Sequence, residues 1–597
     1  MTHSKFVHSN PKNLHGDSSR RSILATLLGL GISSTTFARA LFAQMKPSRV
    51  VTSKMIRQAE WIAGVQFSDD DRNTMLEQIN RATMGFEKLR AVSVNNDVPP
   101  ALMFHVENFS KPAPLPPRQK IPLAPAQTNI HKIERPASDE KLAFLPIKKL
   151  AELLATRRLS SVELTTLYLE RLHRFDPVLK CVITYLDEDA LRQARQADRE
   201  ISSGHYRGPL HGIPWGAKDL FALPGYPTTW GAEPYRDQIL DQKSAVIERL
   251  EDAGAILIAK LTLGALAMGD VWFGGKTRNP WKLDQGSSGS SAGSAAVTAA
   301  GLAGFTIGTE TLGSIVSPCS RCGVSGLRPT FGRVSRHGAM TLCWSMDKIG
   351  PITRSVDDCG LVFSALHGRD PRDPTTVEKP FEWPSQINWS SIRVGYVDAL
   401  FDESRIIGVT DPEQRKLEKE SLAFDLRTLE SLKTMSREMG FQLRPISLPD
   451  EYPLESVWTI LRAEAAASFD EVTRSGSDDQ LVRQDSEAWP TVFRVGQLTS
   501  AVDYIRANRI RTMIMKKMEE MMLSVDVYLA PSFGSNLTIT NITGHPAVVV
   551  PNGFRTIDGT PTSITFTGRL FGESTTLALA YAYQQRTDFH QQYPLVE

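Results

Sequence analysis

Residues 286–325 hold nine serines and eight glycines. A serine hydroxyl becomes a useful nucleophile only when a neighbouring base takes its proton. The chain has twelve histidines, yet none lies between His211 and His337. The window therefore carries no local histidine base, although one could arrive from elsewhere in the fold. Upstream, residues 208–219 read Gly-Pro-Leu-His-Gly-Ile-Pro-Trp-Gly-Ala-Lys-Asp, a turn-rich entry into a single lysine among apolar neighbours. Burial disfavours an ammonium and can turn lysine into a base. Bringing its pKa from ~10.4 to ~7.5 takes about 4 kcal/mol of differential interaction, which hydroxyl acceptors in a closed site could supply. The competing role for Lys218 is an ordinary salt bridge to a nearby acid.

These residues need rigid elements to hold them. A Gly/Ser-rich stretch can be a flexible linker, but the middle of this one is not linker-like. Ala292–Ala300 is alanine-rich and predicts a helix closed by Gly301. Phe305–Ile307 predicts a short buried strand, followed by a second turn at Gly313-Ser314. Glycines at such turns let backbone amides approach a ligand closely. Elsewhere, Ala255–Ala259 and Val548–Val550 read as buried strands, and Leu240–Ala253 reads as a helix. Strands alternating with helices predict an α/β architecture. Ser160-Ser161-Val162-Glu163 is a capping-box pattern opening a helix with Leu164, Tyr168 and Leu172 on one face. Residues 405–525 are charged and helical, and predict a helical excursion from the sheet.

Several motifs together resemble the amidase signature family. Residues 212–219, ending in Lys218-Asp219, resemble its lysine motif. Gly289-Ser290-Ser291-Ala292-Gly293-Ser294-Ala295-Ala296 resembles its Gly/Ser signature, and Gly308-Thr309-Glu310-Thr311-Leu312-Gly313-Ser314-Ile315 its nucleophile turn. Residues 322–330, 332–336 and 541–547 match in order, so the likeness spans roughly residues 144–590. The resemblance implies a large αβα sandwich with a mixed β-sheet. It implies hydrolysis of carbon–nitrogen (amide) bonds, sometimes esters, through an acyl-enzyme, with no metal or organic cofactor. Carried over by position, Ser314 is the nucleophile, Ser290 the bridging serine and Lys218 the final base. The Gly289–Ser290 peptide is then expected to be cis. Thr311, Leu312, Gly313 and Ser314 would offer backbone amides to an oxyanion, and Ser291 would line the same site. Leu312, Glu310, Ala292 and Val316 depart from commoner family residues. Leu312 is expected to narrow the pocket, leaving the backbone amides in place.

The ends of the chain read differently. Residues 1–40 carry Ser18-Ser19-Arg20-Arg21-Ser22-Ile23-Leu24, a mild apolar run to about Phe37, and Ala38-Arg39-Ala40. That pattern resembles a twin-arginine export signal with a small-x-small cleavage site, and it predicts a periplasmic mature protein. Without such a signal the protein would be cytoplasmic. Residues 41–143 predict an N-terminal helical extension. Its helix covers 53–92, with Met75, Ile79, Ala82, Phe86 and Leu89 in one stripe and Ser68 followed by three aspartates as a helix start. The proline-rich stretch through 112–125 predicts an extended linker. Residues 144–597 form the amidase-like domain.

Composition narrows the function classes. Sixty-eight Lys+Arg against 66 Asp+Glu give a net charge of +2, which is no footprint for nucleic acid. The expected partner is a small-molecule amide, with no nucleic acid and no stable membrane insertion once the signal is removed; a homodimer is left open. Five cysteines cannot form a complete disulfide framework. Cys319 and Cys322 have metal-ligand spacing, but no second pair completes a tetrahedral site. Two alternatives share the scaffold: the amidase subunit of a tRNA-dependent amidotransferase, and a non-catalytic binding protein.

Overall fold

The computed structural model describes residues 50–102 and 134–596. The export-signal pattern and the proline-rich stretch lie outside the described residues. The predicted 53–92 helix is two helices, α1 (Ser53–Ala63) and α2 (Asp69–Ala91). Gly64 breaks them: it caps α1 in the left-handed conformation, and periodicity alone does not register such a stop. Ser68 opens α2 with a reciprocal capping box to Asp71, and Asp69, Asp70 and Asp71 sit at the positive end of the helix dipole. Helix α3 (Ser161–Leu179) starts the same way: Glu163 N donates to Ser160 Oγ at 3.1 Å and Ser160 N to Glu163 Oε2 at 2.8 Å.

The core is an eleven-stranded mixed sheet. Its strands in chain order are β1 (Val182–Tyr185), β2 (Pro214–Lys218), β3 (Ile256–Leu261), β4 (Phe305–Glu310), β5 (Ser325–Arg328), β6 (Lys348–Thr353), β7 (Arg393–Val397), β8 (Gln442–Ile446), β9 (Val527–Pro531), β10 (Ala547–Phe554) and β11 (Pro561–Gly568). Their spatial order is β1-β3-β2-β4-β6-β5-β10-β11-β9-β7-β8. Strand β2 runs parallel to both β3 and β4, while β4–β6, β6–β5, β5–β10, β10–β11 and β11–β9 are antiparallel. Every residue of β2, β3 and β6 is buried, as expected for strands covered by helices on both faces. The architecture is an αβα sandwich.

Helix α4 (Ala245–Asp252) is shorter than the predicted 240–253, because Ser244 caps it and its Oγ accepts from Val246 N. Helix α5 (Ala292–Ala299) is wholly buried, consistent with its small side chains. Helix α6 (Val316–Cys322) follows the second turn and ends at Gly323. The region 405–525 contains α7 (Pro412–Met439), α8 (Glu455–Ser468), α9 (Trp489–Gly496) and α10 (Ala501–Met522). It is not wholly an excursion, since β8 lies inside it and pairs in parallel with β7 at the sheet edge.

The N-terminal helices are docked against these later helices. Met75, Ile79 and Ala82 of α2 share an apolar cluster with Ile56, Phe67 and Val495 of α9. Polar staples run beside it, including Arg90–Asp503 at 2.6 Å and Arg494–Asp71 at 2.5 Å. Arg506 of α10 donates to the Leu89 and Val92 carbonyls.

Candidate active site

Two parallel strands deliver the chemistry to one edge of the sheet. Lys218 is the last residue of β2, and β4 ends at Glu310, immediately before the turn 311–314. In parallel α/β sheets the carboxyl ends of the strands are where ligands are met. The loop before α5 brings Ser290 and Ser291 to the same edge. Two glycines make the approach feasible. A Cβ at Gly289 would stand 1.8 Å from the Gly269 carbonyl oxygen. Gly313 has φ +88°, the left-handed region that favours glycine. The Gly289–Ser290 peptide is cis.

Lys218 is fully enclosed and donates to three hydroxyls. Its Nζ lies 2.8 Å from Ser290 Oγ, 3.2 Å from Ser291 Oγ and 2.8 Å from Thr309 Oγ1. Burial lowers its pKa to about 7, against the opposing pull of the Asp347 and Glu310 carboxylates. The acid beside it in sequence does not neutralise it. Asp219 is paired with Lys260 at 2.7 Å, with both side chains buried, and its second oxygen accepts from Thr229 N and Oγ1. Lys218 is thereby left to the hydroxyls.

Ser314 joins this cluster through the backbone: Ser291 N donates to the Ser314 carbonyl at 3.2 Å. Its hydroxyl forms no hydrogen bond with Ser290 or Lys218 in this state. Ser291 is fixed to β4, accepting from Thr309 N and donating to Thr309 O, each at 3.1 Å. The amides of Thr311, Leu312, Gly313 and Ser314 make no backbone hydrogen bond among the described residues, whereas the next two are committed: Ile315 N and Val316 N donate to Glu310 Oε2 at 2.8 and 2.9 Å. A row of four unspent donors next to three hydroxyls and a buried amine is suited to a developing oxyanion. The Leu312 side chain is half-buried against the main core.

Charges behind the turn hold it. Burial pushes the Glu310 carboxyl up, but Arg328, Lys348 and the Val316 amide outweigh it and bring its pKa down to about 2. Arg328 Nη1 and Asn541 Nδ2 each reach Glu310 Oε1 at 2.8 Å. Thr311 Oγ1 donates to Asp347 Oδ1 at 2.5 Å. A cavity of about 20 Å³ between Thr309, Thr311, Leu342, Asp347 and Lys348 has room for about one water-sized group. A larger cleft of about 660 Å³, lined by Phe144, Lys148, Arg354 and Tyr581, shares no residue with the lysine–serine cluster.

Sequence reasoning does not single out Thr309, Asp347 or Lys348. Thr309 has a local signal, its place in the strand that precedes the turn. Asp347 and Lys348 have none, because their link to the site is made by long-range contacts, the β4–β6 pairing of Lys348 with Glu310 and the hydrogen bond from Thr311 to Asp347. Among the described residues there is no group of three His, Cys, Asp or Glu able to hold a metal ion, and no helix is long and apolar enough to cross a membrane. Cys319 and Cys322 are buried free thiols.

Comparison with known proteins gives a consistent picture. The sequence model of the amidase family matches residues 163–538. The chain is 34% identical over 495 residues to a glutamyl-tRNA(Gln) amidotransferase subunit from Geobacter metallireducens, covering 76% of this chain and 99% of that protein. The corresponding protein of Moorella thermoacetica is 32% identical over 499 residues, with the same coverage. Among solved structures, the native peptide amidase of Stenotrophomonas maltophilia superposes with a TM-score of 0.64 at 28% identity, covering 76% of this chain and 98% of that one.

Proposed function

Since this chain belongs to the amidase family and is an amide-hydrolysing enzyme, we propose that it works through an acyl-enzyme on Ser314. In this reading Ser290 relays the proton and Lys218 is the final base. The observation that carries it is the 2.8 Å contact between Lys218 Nζ and Ser290 Oγ. A buried amine with a pKa near 7 is half neutral at neutral pH, and a base poised near the working pH transfers protons most effectively.

Ser314 Oγ attacks the amide carbonyl as its proton passes to Ser290, whose own proton passes to neutral Lys218. The carbonyl oxygen becomes an oxyanion facing the free amides of the 311–314 turn. Collapse breaks the C–N bond, and the relay runs backwards, so the lysine proton reaches the leaving amine through Ser290. An amine is too basic to leave unprotonated, so this return step is what an amide demands beyond an ester. Water then attacks the acyl-enzyme through the same relay and releases the acid. These steps use no cofactor.

The test follows from the return step. Lys218→Ala should lose far more activity on amides than on matched esters. An amide-to-ester ratio equal to the parent's, with high residual activity, contradicts the reading.

A second reading is supported by the relatives, whose names place them in a glutamyl-tRNA(Gln) amidotransferase: the chain serves as the amidase subunit of such a tRNA-dependent complex. We favour a stand-alone exported amidase. The twin-arginine pattern at residues 18–24 addresses a different compartment from charged tRNA, and the chain, whose net charge is only +2, carries a docked N-terminal extension. Activity of the purified single chain on simple amides separates the two.

A further inference from the structure

The four free amides need a scaffold, because no backbone pairing holds them. At the far end, Glu310 grips Ile315 and Val316. At the near end, Thr311 is tied to Asp347 Oδ1. Asp347 Oδ2 in turn accepts from Leu342 N at 2.8 Å and Cys343 N at 2.9 Å, closing the loop 342–347 on itself. Within the loop Met346 N and Asp347 N also donate to the Cys343 carbonyl at 3.1 and 3.0 Å, and from outside Arg336 holds the Trp344 carbonyl at 2.6 Å; the Cys343 and Ser345 end takes its own anchor.

That anchor is Glu464 of α8, a buried carboxylate. Its Oε2 accepts from Ser345 N at 2.9 Å and from Cys343 Sγ at 3.1 Å. Its Oε1 accepts from Ser345 Oγ at 2.6 Å and from Tyr504 OH at 2.9 Å. Arg511 of α10 closes the other side, donating to the Ser345 carbonyl at 2.8 Å. A carboxylate filled by four donors is held tightly, and truncating it leaves those donors unpaired in a buried site. The path is continuous: Glu464 fixes Cys343 and Ser345, their loop fixes Asp347, and Asp347 fixes Thr311 at the start of the amide row.

We propose that Glu464 is a positioning residue for the reaction, setting the geometry of the 311–314 amides through the 342–347 loop. It touches neither substrate nor the lysine–serine relay. This inference rests on the active-site reading above. Oriented donors lose their value steeply when displaced, so a remote partner can govern rate without governing binding.

Glu464→Gln keeps the shape but replaces one pair of acceptor lone pairs with an amide donor facing Ser345 N or Oγ. The experiment compares parent, Glu464→Gln, Ser345→Ala and Ser314→Ala. It uses p-nitroanilide and p-nitrophenyl ester substrates, fluorophosphonate labelling rates, and thermal melts to confirm folding. Glu464→Gln should lower kcat about tenfold with KM nearly unchanged, and slow labelling by a similar factor. The loss should be equal for amide and ester, since both pass through an oxyanion; loss of the lysine should discriminate between them. Ser345→Ala should show the same pattern with a smaller loss, and it decides the matter if Glu464→Gln does not fold. Parental kcat and labelling rate in a folded Glu464→Gln, or in Ser345→Ala, overturn the proposal while leaving the active site intact. A parent that does not label, or a Ser314→Ala that labels normally, overturns the active-site reading itself and with it this inference.

Discussion

Lys218 Nζ and Ser290 Oγ stand 2.8 Å apart with both side chains closed off from solvent, while Asp219 beside the lysine is held by Lys260. The amine is thereby freed from the ion pair that would keep it charged. Burial brings its pKa to about 7. Below that value Lys218 carries its proton and cannot accept another; above it the relay is open. The rate of amide hydrolysis, measured as kcat/KM, should therefore rise with pH through a limb near 7. A profile already flat from pH 5 upward would mean that Lys218 is not the titrating base.

Glu310 supports the turn from behind. Its carboxyl titrates at about 2, below the ordinary 4.5, so its stabilising contribution is fully present above pH 4.5 and is lost as pH falls towards 2. Glu310→Gln leaves Arg328 buried beside a neutral partner and should cost about 3 kcal/mol at pH 7. Thermal melts should show the gap between parent and variant narrowing between pH 5 and pH 3. A pH-independent gap would show that the ion pair contributes nothing.

Much of this site is legible in the chain, and the remainder depends on long-range pairing. Lys218, Ser290 and Ser314 lie in compact motifs whose glycines mark turns, so local reading reaches them. Helix α5 and strand β4 follow from their composition. Thr309 has only its place in the strand before the turn as a signal, and a strand threonine is ordinary until its neighbour β2 is known to end in a lysine. Asp347 and Glu464 are out of reach because only the folded sheet brings Asp347 to the turn and only α8 brings Glu464 to the 342–347 loop. The break at Gly64 is marked only by the helix start at Ser68, because the apolar stripe from Met75 to Leu89 lies wholly beyond it. Strand β8, Gln442–Ile446, carries a proline and polar residues, and an edge strand beside long helices offers no such contrast.

The N-terminal helices pack on the later helices, away from the lysine–serine cluster, and are expected to contribute to stability and not to chemistry. Met75 is buried in the cluster that joins α2 to Val495. Met75→Ala should cost about 2–4 kcal/mol and leave kcat/KM within about twofold of the parent at 25 °C. A large loss of kcat/KM in the folded variant would place the extension in the catalytic machinery.

Export is proposed from residues 18–24. Arg20→Lys combined with Arg21→Lys should hold the protein in the cytoplasm with its activity in lysate intact, because the paired arginines are read by a receptor and add nothing to the fold. Fractionation of the variant into the periplasm at the parental level would remove the twin-arginine reading.

The most direct measurement maps the covalent site. The purified protein is treated with a fluorophosphonate, digested and sequenced by mass spectrometry. A single adduct on Ser314 is expected, absent in Ser314→Ala and formed at least tenfold more slowly in Lys218→Ala, since the relay then has no proton sink. An adduct on another serine, or labelling of Ser314 at the parental rate without Lys218, would contradict the acyl-enzyme and its lysine base.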